Sequence, residues 1–572
     1  MAQRLITAIV VTLILGAAFW FGAFRQTDPL PEDWKPLFAS IDGDFKPRPG
    51  GEAEGEARSH VHCSACHLRP DPDILPLESW IEVLRIHLGR FNQAGILVGP
   101  EQAAADSDEG LREARLSLPH EKHRGYRLPR SDFTDIIYFY LKHAPTRSLP
   151  QRGKPAFAPE PAPFELIFAP HASMHNQAQY TLATFESESG RMILGDSANR
   201  SLVVLDARGQ RLWSIPVGGI YPTSLMARPD GIHVVRSGPD LQSVVESLPD
   251  GKVLRFPPSA LEERMDPVPM EEVVTGLQFP IHITFADLDD DGRDELIVEE
   301  FGMSEGALSW YKQTHDAYDE KNILYDGPGS LDTIVEDLTG NGRPDILAMV
   351  TQAEQAIYLF ENQGRGQFEK RLLLRKHPAF GFDAMFLEDM NGDGRLEIIT
   401  VNGDNDLETQ PLRPYHGVRI WRDTGDLQFE EAFFYPMHGA IQAVIRDFNG
   451  NGRLDIVAVS LWPDFQSLPL ESAVYLENDG HLSFTPRRIP GSERGRWAVI
   501  GAGDLDGNGF DDLLLGALYL PGYLPPLIEA LGGTRPLSYA VFRNTSDHPL
   551  PRETGALSPD RNRQSPAGSR KE

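Results

Sequence analysis

The chain has 572 residues, too many for one ordinary hydrophobic core, so two or more domains are expected. Its formal net charge is -29, and no basic patch offsets it. That balance excludes nucleic acid and anionic lipid surfaces as natural partners, and suits a basic redox partner or bound cations.

After Arg4 the sequence LITAIVVTLILGAAFWFGAF forms an uncharged apolar run of about 20 residues that ends at Arg25. Such a run spans a bilayer as a helix. Bulky Phe19, Trp20, Phe21 and Phe24 fill its exit, where a cleaved signal carries small residues. Residues 1–25 are therefore expected to be an uncleaved signal anchor, with a cleaved peptide as the alternative. Residues 26–58, rich in Pro, Gly and acidic residues, read as a tether.

The pentapeptide Cys63-Ser64-Ala65-Cys66-His67 follows. Two thiols three residues apart with an imidazole directly after them form the attachment pattern of a c-type haem. Cys63 and Cys66 would make thioethers to the two vinyl groups, and His67 would be the proximal iron ligand. The chain has no other cysteine, so a four-ligand zinc site of paired cysteines does not compete; a reducible disulfide between the two, or a chance pairing, is the competing account. One covalent haem c implies export, with the body in the periplasm on the outer side of a bacterial inner membrane.

In PLESWIEVLRIHLGRF, Trp80, Val83, Leu84, His87, Leu88 and Phe91 recur with helical spacing, so His87 sits on an apolar face. A last helix is expected in SDFTDIIYFYLKHAP, capped by Ser131 or Asp132 and ended by Pro145. Residues 59–146 resemble a small all-α monohaem cytochrome c domain. No Met lies between Met1 and Met174, so an axial methionine would have to come from the next domain. His87 is the better sixth ligand. His120 and His123 compete for the role, and a five-coordinate iron is the remaining arrangement. The phrase CxxCHLxPxP…W…VL resembles the cytochrome part of bacterial proteins that also carry FG-GAP or VCBS repeats. Those proteins place a Met where His87 stands, and the departure implies bis-histidine ligation.

A Pro-rich linker covers 147–164. Across 165–546 a phrase then recurs every 50 to 58 residues: DLDDDGRDELIV, DLTGNGRPDILAMV, DMNGDGRLEIITV, DFNGNGRLDIVAV and DLDGNGFDDLLLG. Weaker echoes near Glu186 and Asp230 bring the count to seven units, enough for a closed all-β propeller of four-stranded blades. Residues 547–572 read as a disordered tail.

Within each phrase, oxygen-bearing side chains stand at positions one, three, five and nine, with Gly at six. The sets are Asp287, Asp289, Asp291 and Glu295; Asp337, Thr339, Asn341 and Asp345; Asp389, Asn391, Asp393 and Glu397; Asp447, Asn449, Asn451 and Asp455; and Asp504, Asp506, Asn508 and Asp512. Such alternation suits Ca²⁺, although simple turn capping by Asp and Asn is the competing account. An EF-hand is excluded, because Val298 stands where its bidentate Glu belongs. The phrases resemble FG-GAP/VCBS (integrin-alpha-like) repeats, which imply calcium in the turns. GDN…PYHGVRIW and FYPMHGA…DFNGNGRLDI extend the resemblance to the proteins that join such a propeller to a monohaem cytochrome.

The strand entering each turn is expected innermost, placing His282, Asp332, Asp383 and Gln442 around a central channel with Tyr415, His416 and His438 at its rim. No nucleophile elbow, phosphate loop, HExxH or Rossmann fingerprint is present. The expected function is electron transfer through one haem, with the propeller as docking scaffold for a redox protein or small-molecule donor or acceptor. The alternatives are an oxidoreductase whose channel oxidises a small molecule, and an adhesion or carbohydrate-binding propeller with a redox-sensing haem.

Overall fold

The computed structural model describes residues 51–546 apart from 66, 94–95, 99–126, 173–177, 187–189, 247, 303–304, 315–316, 353, 406, 408, 466–470, 520–526 and 530. The expected membrane anchor and the C-terminal tail lie outside the described residues. Among those described, no helix is long and apolar enough to cross a membrane.

Seven four-stranded antiparallel sheets form the blades of a propeller. In blades 3 to 6 the strands follow chain order from inside to outside, beginning at Pro280–Ala286, Ser330–Glu336, Phe382–Glu388 and Ala440–Arg446. Their first strands neighbour one another around the ring, as expected for the strand entering each turn. The weak echoes are full blades: Tyr180–Pro216 is blade 1 and Leu225–Leu277 is blade 2. Blade 7 takes three strands from Trp497–Asn544 and its outermost from Phe164–Phe168 at the other end of the propeller. That strand pairs antiparallel, Phe164 opposite Asn544 and Glu165 opposite Arg543, and so fastens the ring.

The sequence pattern of each strand follows its place. Second strands such as Glu295–Glu300 and Asp455–Ser460 are buried at every residue, because neighbouring blades cover both faces. Outer strands such as Gln367–Arg375 carry charged residues facing water. Glycine at position six of the five turns has φ of 82°, 82°, 84°, 82° and 92° (Gly292, Gly342, Gly394, Gly452, Gly509), a left-handed bend that favours residues without Cβ.

Three buried asparagines on third strands lock neighbouring blades. The amide groups of Asn362, Asn478 and Asn544 donate to the carbonyls of Leu288, Met390 and Phe448, each the second residue of the preceding blade's turn. Each also donates its backbone N–H to the buried position-nine carboxylate of its own blade, Asp345, Asp455 or Asp512, at 2.6–2.8 Å.

Before the propeller lie helices α1 (Gly51–His62), α2 (Leu77–Gln93) and α3 (Arg130–His143). Helix α1 begins inside the stretch expected to be a tether. Gly55 allows it to lie directly on α3: a Cβ there would come 2.1 Å from the Asp135 carbonyl oxygen. Arg58 pairs with Asp132. This pairing displaces the expected capping: α3 starts at Arg130 without a side-chain cap, and Asp132 serves the helix contact instead. The helix ends at His143, before Pro145. Trp80, Leu84 and Leu88 of α2 are buried against Phe133, Ile137 and Tyr140 of α3.

The Pro-rich segment is bound along the propeller rather than hanging free. Ala158 and Ala162 donate backbone N–H groups to Pro486 and Arg488 of blade 6, Lys154 pairs with Glu471, and Gln151 donates to the His416 carbonyl. On blade 5, Thr409 meets Ser79 at 2.8 Å and donates to Glu82 at 2.9 Å, while Ala379 and Leu407 pack into the helical core.

Replacing Asn478 by Ala leaves the Met390 and Leu454 carbonyls without their donor and the Gly480 N–H without its acceptor. Thermal or urea unfolding is expected to show a loss of about 2–4 kcal/mol, whereas Asn322→Ala on an exposed strand should stay within about 0.5 kcal/mol.

Candidate functional site

Helix α1 delivers Cys63 at its C-terminal end, and α2 carries His87 toward His67. Cys66, His120 and His123 lie outside the described residues. His67 donates Nδ1–H to the Leu68 carbonyl at 3.1 Å, and His87 donates Nδ1–H to the Val83 carbonyl at 2.8 Å. A carbonyl can only accept, so both rings keep Nε2 as the free lone pair. Burial, and then His87, push His67 down to about 4, and burial lowers His87. Both imidazoles are therefore neutral, the form that binds metal.

The two ring centroids are 6.2 Å apart with planes at 77°. Two metal–nitrogen bonds of about 2 Å plus the ring radii place imidazoles that share one metal at roughly 6.3 Å. The centroid spacing is therefore that of two rings which would hold one metal from opposite sides through Nε2. Phe91 closes against His87 at 5.7 Å, and Trp80 packs on Tyr140 at 4.4 Å. Tyr140 donates to the Pro70 carbonyl at 2.6 Å, fixing the chain just after His67.

The acidic turns share one framework. The position-one carboxylate accepts backbone N–H groups across the bend, as Asp287 does from Asp291 and Gly292 and Asp447 from Asn451 and Gly452. The same holds for Asp337, Asp389 and Asp504. Position nine is buried and accepts the backbone N–H of position two or three: Leu288 to Glu295, Thr339 to Asp345, Met390 to Glu397, and Leu505 to Asp512. Asp455 instead accepts from Tyr475 and Asn478.

The turns differ in what faces the middle. Ligand oxygens of three carboxylates converge within 4.8 Å at Asp287, Asp289 and Glu295, and at Asp504, Asp506 and Asp512. In the first set, Asp289 Oδ1 and Glu295 Oε1 are buried without a partner. Lys312, which sequence reasoning missed, pairs there with Asp289 and lies 3.4 Å from Asp291. At the other turns amides and hydroxyls fill in: Asn391 donates to Glu397, Thr339 to Asp345, and Asn449 to Glu477. Asn341 Nδ2 donates to the Asn362 carbonyl, and Asn508 and Asp393 use side-chain oxygens on the backbone of Phe510 and Arg395.

The channel residues lie on or beside the innermost strands. Asp332 accepts from Met385 of the next blade, Asp383 from Gly403, and Gln442 from Ala443. His282 lies 3.3 Å from buried Glu299. The rim histidines do form a group: His377 meets Tyr415 at 4.9 Å, and Tyr415 meets His416 at 5.4 Å. His416 is buried, and burial plus Arg413 and His438 hold it well below its ordinary range. His438 lines a cavity of about 140 Å³ with Gln151, Lys154, Asp464 and Glu471. His377 carried no sequence signal, because nothing local marks a residue that gains its neighbours from another loop.

The FG-GAP-like repeat model matches residues 337–400 and 389–458, which span the turns of blades 4, 5 and 6. No curated protein sequence matches the chain significantly. Among solved structures, a chain of the BBS1N–ARL6DN complex is 11% identical with a TM-score of 0.40, covering 69% of this chain and 99% of that one. A chain from a S. cerevisiae complex of dbp5, nup159, gle1, IP6 and ADP is 10% identical, with a TM-score of 0.39 and the same coverage. The Myceliophteria thermophila Swd1 β-propeller domain is 10% identical, with a TM-score of 0.38, covering 66% of this chain and 98% of that one.

Burial raises Glu295, Glu397 and Asp455 to about 7 and Asp512 to about 6, above their ordinary range. Between about pH 4 and 7 the metal-free folded state then binds more protons than the unfolded state. In a chelator, the melting temperature is expected to fall as pH rises from 5 to 8. Differential scanning calorimetry checks it.

Proposed function

We propose that the protein is a c-type cytochrome that passes single electrons through one covalent haem, with the FG-GAP-repeat propeller as its rigid mount and docking scaffold. The observation that carries this reading is the 6.2 Å spacing of two neutral imidazoles directly beside the CSACH motif. Cys63 and Cys66 would tether the porphyrin, and His67 and His87 would bind the iron through Nε2. When bound, the haem supplies a one-electron couple at a site closed by Phe91 and by the Trp80–Tyr140 pair. The chain's own residues hold that site: the Leu68 and Val83 carbonyls fix both ring tautomers, and Tyr140 anchors the chain at Pro70. The apolar run at 1–25 supports an anchor in the bacterial inner membrane with the body in the periplasm.

The turns of blades 3 and 7 are the best calcium sites, because each brings three carboxylates together. The turns of blades 4 and 6 would bind more weakly, since Thr339 and Asn341 in the one, and Asn449 and Asn451 in the other, replace two charges. A second reading makes the protein an oxidoreductase acting on a small molecule. The cavity at His438 supports it, being large enough for a few non-hydrogen atoms and lined by Lys154, Asp464 and Glu471.

The pyridine haemochrome spectrum of the periplasmically matured protein should show a covalent haem c. Its native spectrum should be low-spin and indifferent to carbon monoxide, and His87→Ala should open the iron to carbon monoxide. A native protein that already binds carbon monoxide would refute the bis-histidine site. Calcium in excess over chelator should raise the melting temperature at pH 8, and unchanged melting would assign the turns to hydrogen bonding alone.

A further inference from the structure

The propeller surface beneath the helical domain carries a group of cations, Arg375, Lys376 and Arg413, with Glu354 and Glu431 as carboxylates near the first two. Arg375 ends the outer strand of blade 4, and its charge lies close enough to His67 to oppose protonation of that ring. Lys376 follows, with its ammonium 4.3 Å from the centre of the Trp421 ring. Arg413, in an insertion of blade 5, is only 4% exposed. It donates to the Ala379 and Asp404 carbonyls at 2.9 Å each, and its Nε is buried without a partner.

These groups meet the interface from below. Ala379, whose carbonyl Arg413 holds, packs into the helical core that includes Cys63. Between Arg375 and Ala379 lies His377, within electrostatic reach of both Arg413 and Asp71 of the helical domain. Glu354 lies 3.3 Å from Arg375 but also accepts the Tyr358 hydroxyl at 3.1 Å. A guanidinium removed from water needs an anion, and its fork matches a carboxylate best. In a chain of net charge -29, such a local excess of cations calls for a specific partner.

We propose that Arg375, Lys376 and Arg413 receive the two propionate carboxylates of the haem, so that the propeller completes the haem pocket. This rests on the haem reading above. A haem fixed at Cys63 and Cys66 presents its propionates as its only ionised groups, and the helical domain meets the propeller at this floor. Cations held there favour the reduced iron and set the potential from outside the domain that attaches the haem.

The test is a spectroelectrochemical titration of the full-length, haem-loaded protein. Arg375→Gln and Arg413→Gln should each lower the midpoint potential, by a shift on the order of tenfold in the ratio of reduced to oxidised haem, about 59 mV for one electron. Arg413→Lys keeps the charge and should stay near the wild type. Arg543→Gln, which removes the same charge from an exposed pair with Glu165 on blade 7, should leave the potential unchanged. Arg375 is partly exposed, so its variant serves even where Arg413→Gln does not fold. Midpoints of both variants equal to that of Arg543→Gln would overturn the proposal while leaving the covalent haem in place. A wild-type midpoint that moves with added acetate would overturn it in favour of an exogenous carboxylate. A protein without haemochrome would sink the electron-transfer reading and this inference together.

Discussion

The structure depends on the buried carboxylate at position nine of each turn and on what bonds to it. A carboxylate without solvent is stable only when hydrogen bonds satisfy its oxygens. In blades 4, 6 and 7 those bonds come from the turn or its neighbours and from a third-strand asparagine that also reaches the preceding blade. One residue, through its backbone N–H and its side-chain amide together, therefore fixes the turn, its own sheet and the contact between sheets. In blade 5 the matching position is Asp423, which caps its own turn through Gly425 and Gln428. An aspartate cannot donate to a carbonyl, so that seam relies on apolar packing and on Asp332 holding Met385 from the inner strand.

A ring locked in this way gives its rim loops fixed positions. The insertions of blade 5 carry Leu407, Thr409 and Arg413, and the first two bind α2 directly. The Pro-rich segment lies along blade 6 before its chain enters blade 7 as the outermost strand. The helical domain is thus held at two places, by the loops under α2 and by the segment that leaves α3. An electron carrier benefits from such mounting, because transfer depends on a set distance between centre and partner. Next to His67, Leu68 is 47% exposed.

The turns illustrate how one pattern serves two physical ends. The position-one aspartate spends its oxygens on backbone N–H groups wherever the phrase occurs, so turn formation alone accounts for its presence. Convergence of three carboxylates is the additional feature, and it belongs to blades 3 and 7. In blade 3 a lysine ammonium sits beside the acidic group, which offsets part of the repulsion that a bound cation would otherwise relieve.

The sequence by itself determined the local chemistry. The CSACH spacing, the helical stripe that carries His87 and the phrase period are short-range patterns, and the structure bears out the helix, the bends at the glycines and seven blades, weak echoes included. Tertiary structure alone decided which distant pieces meet. The closing strand at Phe164–Phe168, the asparagine locks, the seating of Ser79 on Thr409 across 330 residues and the hold of Arg413 on the Ala379 carbonyl leave no periodic trace. Asn362 and Asn478 stand near the ends of their strands, yet both are fully buried and reach the neighbouring blade. Among the channel residues, packing of the strands gives Asp332 the Met385 N–H of the next blade and Asp383 the Gly403 N–H. A motif records what its own residues do to one another, whereas contact across a ring depends on closure of the whole chain.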